Sequence, residues 1–286
     1  MIDQTKLIDG KRIAADVLAA AAEKVARVKE VAGAIPTLAT VLVGDDPASA
    51  TYVRMKGKRC ESAGMNSLRV EMDASIDTAA LIARINELGA DPDVHGILLQ
   101  HPVPGHIDER AAFEAIPLDK DVDGVTATGL GNMWLGVPTW SSCTPGGIMR
   151  LFDAYEVELK GSHAVVIGRS PILGKPMAAM LLNRHATVTI CHSRTKNLPD
   201  VVGGADIVVA AVGKPRFVEG GWIKEGAVVM DAGYNEGNVG DVDFEWAAER
   251  ASLITPVPGG VGPMTIATLI DQTADAAARQ LGVALA

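Results

Sequence analysis

Apolar residues recur at helical spacing over residues 10–30. Ile13, Val17, Ala21, Val25 and Val28 fall on one face and predict an amphipathic helix. The stretch Thr37–Val43 is apolar without alternation, the pattern of a strand buried on both sides. Asp46-Pro47 then predicts a helix start, with Asp as cap and Pro in the first turn, running to about Ala63 and stopping at Gly64. Leu68, Val70 and Met72 alternate and predict a second strand. Asp77 caps a helix carrying Leu81, Ile82, Ile85 and Leu88, and Gly96–Gln100 is a third short strand. Residues 117–145 lose the periodicity in Pro, Gly and Asp clusters and mark a domain junction. Thr144-Pro145 opens a helix to about Tyr155. Strands follow at 163–167, 187–191, 206–212 and 227–231, with a helix from about 175. A last helix spans Pro263–Leu281, with Met264, Ala267, Ile270 and Ala277 on one side. Strand alternating with helix predicts an α/β fold with parallel sheets.

Composition narrows the function classes. Apolar residues make up 48% of the 286-residue chain but aromatics only 4%, so the core is built of Ala, Val, Leu and Ile. The net charge of −9 argues against nucleic acid as a partner, which calls for a basic footprint. Three cysteines, Cys60, Cys143 and Cys191, with no CxxC, suggest neither a disulfide framework nor a metal site, and fit a cytoplasmic location. No apolar run approaches the about 18 residues of a membrane span, and the N-terminus lacks a signal-peptide core.

The strand His163–Ile167 leads into Gly168-Arg169-Ser170-Pro-Ile-Leu-Gly174-Lys-Pro176 and then a helical pattern, the setting a dinucleotide fingerprint requires. Gly168 lets the chain turn, Ser170 supplies a hydroxyl near phosphates, and Gly174 lets the helix pack close. The helix start offers N–H groups to an anion. The spacing departs from GxGxxG, so an ordinary α/β turn stays open as the alternative. A hydrolase elbow, GxSxG, is excluded because position 172 is Ile172. An NAD site places an acid at the end of the next strand. Here the strand ends in His192-Ser193-Arg194-Thr195-Lys196. With Arg169 these cations suit a 2′-phosphate and favour NADP; a solvated basic loop is the alternative.

Tyr52 and Lys56 lie four apart and share a helix face. Gln100 ends a parallel strand, where open sheets place ligand sites. Asp121 and Asp123 lie in the junction, and clefts between domains commonly hold substrates. Lysine, with an ordinary pKa of about 10.4, becomes a useful base near neutrality only when desolvated or placed near another cation. A polar, uncharged neighbour such as Gln100 suits that; a carboxylate would pin the cation. The stiff segment Pro256–Pro263 can bring backbone close to a flat ligand.

Together these segments resemble the bifunctional methylenetetrahydrofolate dehydrogenase/cyclohydrolases over nearly the whole length. The resemblance rests on Tyr52–Lys56, Gly96–Gln100 running to Lys120-Asp-Val-Asp123-Gly124, Gly168–Pro176, and Pro258-Gly-Gly-Val-Gly-Pro-Met-Thr265. It implies two α/β domains, the second Rossmann-like and NADP-binding, with the active-site cleft between them. The substrate domain would take 1–122 plus 264–286 and the cofactor domain 123–263. It implies oxidation of methylene-tetrahydrofolate and hydrolysis of the methenyl product to 10-formyl-tetrahydrofolate. Lys56 would be the general acid/base, tuned by Gln100, with Tyr52 placing the reacting carbon and Asp123 binding the pterin. Leu99, Gln100, His101, Pro258, Gly259, Gly260, Val261 and Gly262 would line the folate site. Gly168, Arg169, Ser170, Ser193, Val212, Gly213 and Tyr234 would meet the cofactor. A homodimer through the cofactor domain is implied as well.

Two positions depart from the family's usual pattern. His101 follows Gln100, read either as a solvated loop residue or as a proton relay, and Tyr234 stands in Asp231-Ala-Gly-Tyr-Asn235. The basic run Arg54, Lys56, Lys58, Arg59 reads as a solvated helix face or as an attractor for the glutamate tail of folate. The Gly168 turn alone also allows another two-domain dehydrogenase, for example of amino acids, or a dinucleotide sensor without catalysis. Asp123 and the Pro258–Gly262 loop argue against the first. Tyr52, Lys56 and Gln100 together argue against the second.

Overall fold

A computed structural model describes residues 3–285, with the side chains of residues 47–52 outside the described set. By its contacts the chain divides into two compact units. One holds residues 16–131, 139–141 and 266–286; the other holds 1–15, 132–138 and 142–265.

The first unit carries a three-stranded parallel sheet in the order β2-β1-β3, with β1 Thr37–Val43, β2 Asn66–Met72 and β3 Gly96–Leu99. The apolar run of β1 is buried at every position because it is the central strand. β2 is an edge strand, and Leu68, on its open side, is 37% exposed. The helices between the strands are α2, Pro47–Ser62, and α3, Thr78–Ala90. Gly64, at a φ of 80°, ends the connection after α2 as expected, and the Asp77 carboxylate accepts the Ala80 N–H at the start of α3. Two long helices, α1 Gly10–Ala32 and α10 Val261–Gln280, each begin in the other unit and continue into this one. Within this unit Lys24 on α1 pairs with Asp271 and Asp275 on α10.

The second unit carries a five-stranded parallel sheet ordered β5-β4-β6-β7-β8: β4 His163–Ile167, β5 Thr187–Cys191, β6 Ile207–Ala210, β7 Val228–Asp231 and β8 Leu253–Ile254. Numbered within the unit the order is 2-1-3-4-5, a doubly wound sheet whose strand order reverses between β4 and β6. Ligands bind such sheets in the crevice at the carboxyl ends beside that reversal. The core is small and aliphatic, with Val165, Ile167, Val208, Ala210 and Val229 all at most 1% exposed. Helices α6, Cys143–Ala154, and α7, Gly174–Asn183, follow the expected spans closely. Residues 1–15 group here because Leu7 bridges in parallel to Ile254 and the Ile8 N–H donates to the Ile254 carbonyl at 2.9 Å.

Periodicity does not predict the short elements: α4 Glu109–Glu114, α5 Ala127–Leu135, α8 Leu198–Gly203, α9 Phe244–Arg250 and β8. Each helix has nine residues or fewer, too few turns for a repeating apolar face to stand out. The irregular stretch 117–145 thus contains a helix, and β6 is shorter than its apolar run.

Candidate active site and cofactor turn

In the three-strand unit, β1 leads into α2 and β3 leads into Gln100. Both are carboxyl-end positions, so Lys56 on α2 and Gln100 meet there. Lys56 Nζ donates to Gln100 Oε1 at 3.0 Å, and Lys56 is half-buried. The amide is fixed from its other end: Gln100 Nε2 donates to the His101 carbonyl at 2.9 Å, and the Gln100 N–H donates to Val41 at 2.8 Å. Gln100 therefore has its acceptor oxygen aimed at the lysine. The segment beyond is pinned in turn, with the Val103 N–H donating to Glu109 at 3.1 Å. His101 contributes its carbonyl to this arrangement. Its imidazole packs edge-on against Phe113, at 6.0 Å between ring centres. Leu99 is 1% exposed, so its side chain belongs to the core. The Tyr52 side chain lies outside the described residues. Arg54, Lys58 and Arg59 are exposed on α2.

The Lys120–Gly124 loop shows a division of labour among its charges. Lys120 is buried and donates to the Asp91 carbonyl at 2.7 Å, and burial lowers its pKa. Val122 is fully buried and sits where a side chain on Gly96 would stand: a Cβ there would lie 2.8 Å from Val122. Asp121, 1% exposed, accepts the N–H groups of Val125 and Thr126 at 2.9 and 3.0 Å. Burial pushes its carboxyl up to about 6 against the pull of those bonds. Asp123 is only half-buried, and its carboxylate accepts no hydrogen bond among the described residues. Of the two acids, it is Asp121 that builds the turn.

In the five-strand unit, Gly168 follows β4 at a φ of 136°. A Cβ there would lie 2.2 Å from the Ala211 carbonyl oxygen, and one on Gly174 would lie 2.3 Å from the Gly168 oxygen. Both glycines are required by backbone pressed on backbone. Ser170 also holds the helix start. Its Oγ accepts the N–H groups of Leu173 and Gly174 at 3.1 and 3.3 Å, and its carbonyl takes that of Lys175 at 3.0 Å. The start of α7 is therefore satisfied internally and does not offer those N–H groups to an anion. The N–H groups of Arg169, Ser170 and Ile172 have no partner among the described residues.

After β5 the chain closes a tight turn. Thr195 donates to the His192 carbonyl at 2.8 Å, and the His192 N–H donates to Thr195 Oγ1 at 2.9 Å. Ser193, Arg194 and Lys196 are exposed on it, and no acid is present. The Pro258–Gly262 loop is equally crowded. The Gly260 N–H donates to Pro256 at 2.8 Å, Gly259 has a φ of 112°, and a Cβ on Gly10 would fall 1.8 Å from the Gly260 oxygen. The start of α1 thus docks on this loop, with the Lys11 N–H donating to Gly259 at 3.1 Å. Tyr234 is 57% exposed, and its hydroxyl donates to Asn238.

Two buried acids behind these loops escape the sequence reading. Asp231 ends β7 and accepts the N–H groups of Gly233, Asp241 and Val242, each at 2.9 Å. Burial pushes it up to about 6. Asp241, fully buried, accepts from the turn after β6. Their signal was an acid closing the apolar run Val228–Asp231 and a second acid ten residues on, with Gly233 and Gly240 between them. A Cβ on either glycine would collide with a carboxylate, at 2.2 Å from Asp241 and 1.9 Å from Asp231.

Comparison with known proteins bears on both halves. Residues 8–123 match the tetrahydrofolate dehydrogenase/cyclohydrolase catalytic domain, and residues 142–281 match the NAD(P)-binding domain of the same family. A protein of Saccharophagus degradans named bifunctional protein FolD is 62% identical over 96% of this chain and 99% of its own length. The solved bifunctional FolD enzyme of Campylobacter jejuni is 45% identical, with a TM-score of 0.93 over 96% of this chain and 98% of that one. The Trypanosoma brucei enzyme, solved with NADP cofactor and inhibitor, is 37% identical, with a TM-score of 0.92 over 96% of this chain and 97% of that one. The chain belongs to the tetrahydrofolate dehydrogenase/cyclohydrolase family.

Proposed function

We propose that the chain oxidises methylene-tetrahydrofolate to methenyl-tetrahydrofolate with NADP, and hydrolyses that product to 10-formyl-tetrahydrofolate. The observation that carries the reading is the Lys56 ammonium held by the oriented amide of Gln100 at 3.0 Å. An amide oxygen holds the lysine without adding a negative charge, so the amine can exchange its proton during catalysis.

Water adds to the methenyl carbon in the hydrolytic step. Lys56 removes a proton from that water and returns one to the departing ring nitrogen. Asp123 accepts the adjacent N–H donors of the aminopyrimidinone and so orients the ring. Tyr52 packs against the folate, and the backbone of Gln100, His101 and the Pro258–Gly262 loop lines its site. NADP, when bound, supplies the hydride acceptor. The N–H groups of Arg169, Ser170 and Ile172 fit its pyrophosphate, and Ser193, Arg194 and Lys196 fit a 2′-phosphate. Val212, Gly213 and Tyr234 complete the cofactor contacts.

The functional division in this reading is a substrate domain, 1–122 plus 264–286, and a cofactor domain, 123–263. The contact units differ from this division at residues 1–15, 123–131, 139–141 and 264–265. The enzyme acts as a cytoplasmic homodimer joined through the cofactor domain. Among the described residues no helix is long and apolar enough to cross a membrane.

The test is a spectroscopic assay of methylene-tetrahydrofolate with NADP and with NAD, following reduced cofactor and methenyl absorbance together. NADP-dependent turnover and decay of the methenyl signal are expected, and Lys56→Met is expected to abolish the decay while NADP still binds. Persistent 10-formyl-tetrahydrofolate formation by that variant removes Lys56 from its role. Absence of NADP reduction by the unaltered protein removes the whole reading.

A further inference from the structure

Asp241 takes no part in the mechanism above, yet it is fully buried and its carboxylate accepts four hydrogen bonds. Its Oδ2 accepts the N–H groups of Val212 and Gly213 at 2.6 and 2.9 Å. Its Oδ1 accepts the Lys214 N–H at 2.9 Å and Asn235 Nδ2 at 3.0 Å. Three successive backbone N–H groups converging on one point form a concavity that binds anions. Here the protein's own carboxylate fills it. Asp241 is held in its turn, because its own N–H and that of Val242 donate to Asp231. Asn235 closes the loop by donating to Val239 from its backbone at 2.8 Å and from its side chain at 3.1 Å.

The place of this turn gives the arrangement meaning. Val212–Lys214 follows β6, and the Gly168 turn follows β4, so the two flank the strand-order reversal where doubly wound sheets bind ligands. They touch, since the Gly168 Cα faces the Ala211 carbonyl closely enough to exclude a Cβ. Gly213 has a φ of 63°, and a side chain on it would meet no atom within 4 Å, so its outer face is open.

We propose that Asp241 is a positioning residue for the dinucleotide. It locks Val212–Lys214 in the conformation that presents the bare face of Gly213 to the cofactor. By occupying that turn's N–H groups, it also leaves the Arg169–Ile172 loop as the surface for the cofactor's phosphates. The inference rests on the reading of Val212 and Gly213 as cofactor contacts.

Hydrogen exchange on the unaltered protein tests the first part without any variant. The Gly213 and Lys214 amides are expected to be protected by about a hundredfold or more before NADP is added. Free exchange that becomes slow only with NADP overturns the proposal, because the cofactor would then be satisfying those groups. The second part uses Asp241→Asn, which keeps the volume but turns one acceptor into a donor. The KM for NADP is expected to rise about tenfold while that for methylene-tetrahydrofolate stays within about twofold. An unchanged NADP KM, or equal rises for both substrates, overturns it. Gly213→Asn keeps the positive φ that Asn tolerates and adds a side chain on the open face. If it weakens NADP while Asp241→Asn does not, the contact stands and the role of Asp241 fails. If neither variant does, the contact reading falls too.

Discussion

At the Lys56 centre, two side chains 44 positions apart meet through one hydrogen bond. At the Gly168 turn, the decisive atoms are absent ones: Gly168 and Gly174 press backbone against backbone, and neither position has room for a methyl group. The first region is a chemical device made by side-chain groups. The second is a shape, held by strand ends and by carboxylates that satisfy buried N–H groups. Removing a functional group should therefore damage the first with little effect on folding, whereas adding an atom should damage the second through folding and cofactor binding together.

The largest expected effect breaks the first region alone. Lys56→Met should lower methenyl hydrolysis by about 10² to 10⁴ while NADP affinity, followed by titration, stays unchanged. A parallel loss of NADP binding would show that the two regions are not separable. Gly168→Ala should be the counterpart in the second region. Overpacking against Ala211 and the strained φ together should cost about 2 to 5 kcal/mol in urea unfolding, and NADP binding should weaken with it. An alanine variant as stable as the unaltered protein would mean that the turn yields, contrary to the contrast drawn above.

A third test turns on Asp121, the buried acid that builds a loop in the three-strand unit. Asp121 is raised by burial from the ordinary 3.8 to about 6. In the folded chain it keeps its proton after the unfolded chain has released it. Its contribution to stability is complete below pH 3.8 and is lost as pH rises through about 6. The stability of the unaltered protein relative to Asp121→Asn should thus fall by on the order of 2 to 3 kcal/mol across that window. His95 works the other way. Burial lowers its pKa from 6.5, and its Nδ1 accepts the Thr37 N–H, so its contribution is lost as pH falls. Comparing the two proteins at each pH cancels the His95 effect. A difference that stays flat or grows with pH would reverse the sign argued for Asp121. The smallest effect belongs to Tyr234→Phe. It removes one exposed hydrogen bond to Asn238 and should change stability by less than about 1 kcal/mol in thermal unfolding. A larger loss would mean that the hydroxyl, and not the Asp241 carboxylate, governs the loop.

Much of this was legible in the chain itself. Long apolar patterns announced α1, β1, α3 and α10, because their length lets a pattern emerge, and the Asp46-Pro47 start and Gly64 stop announced α2. Gly168 and Gly174 were visible from their place between strand and helix. That the Ser170 hydroxyl accepts the N–H groups of its own helix start was not legible. Whether its hydroxyl faces a ligand or its own helix depends on a backbone path that composition does not encode. Asp231 and Asp241 were passed over, since an acid after an apolar run ordinarily ends at the surface. Only the folding of residues 232–241 back over the strand end buries both. Asp121 and Asp123, two apart in one motif, are told apart in the sequence only by the family resemblance, and that Asp121 holds the turn is seen only in the structure.

By itself the sequence determined the class of the fold, the parallel strands, and the residue types from which the chemistry is drawn. These follow from local periodicity and from side-chain chemistry, neither of which requires distant contacts. Tertiary structure decided which of those residues are aimed and which are used up. It oriented the Gln100 amide through the His101 carbonyl, spent the helix-start N–H groups of α7 on Ser170, and filled the turn after β6 with Asp241. Each of these depends on hydrogen-bond directions set by the three-dimensional backbone path, and a one-dimensional pattern carries no information about direction.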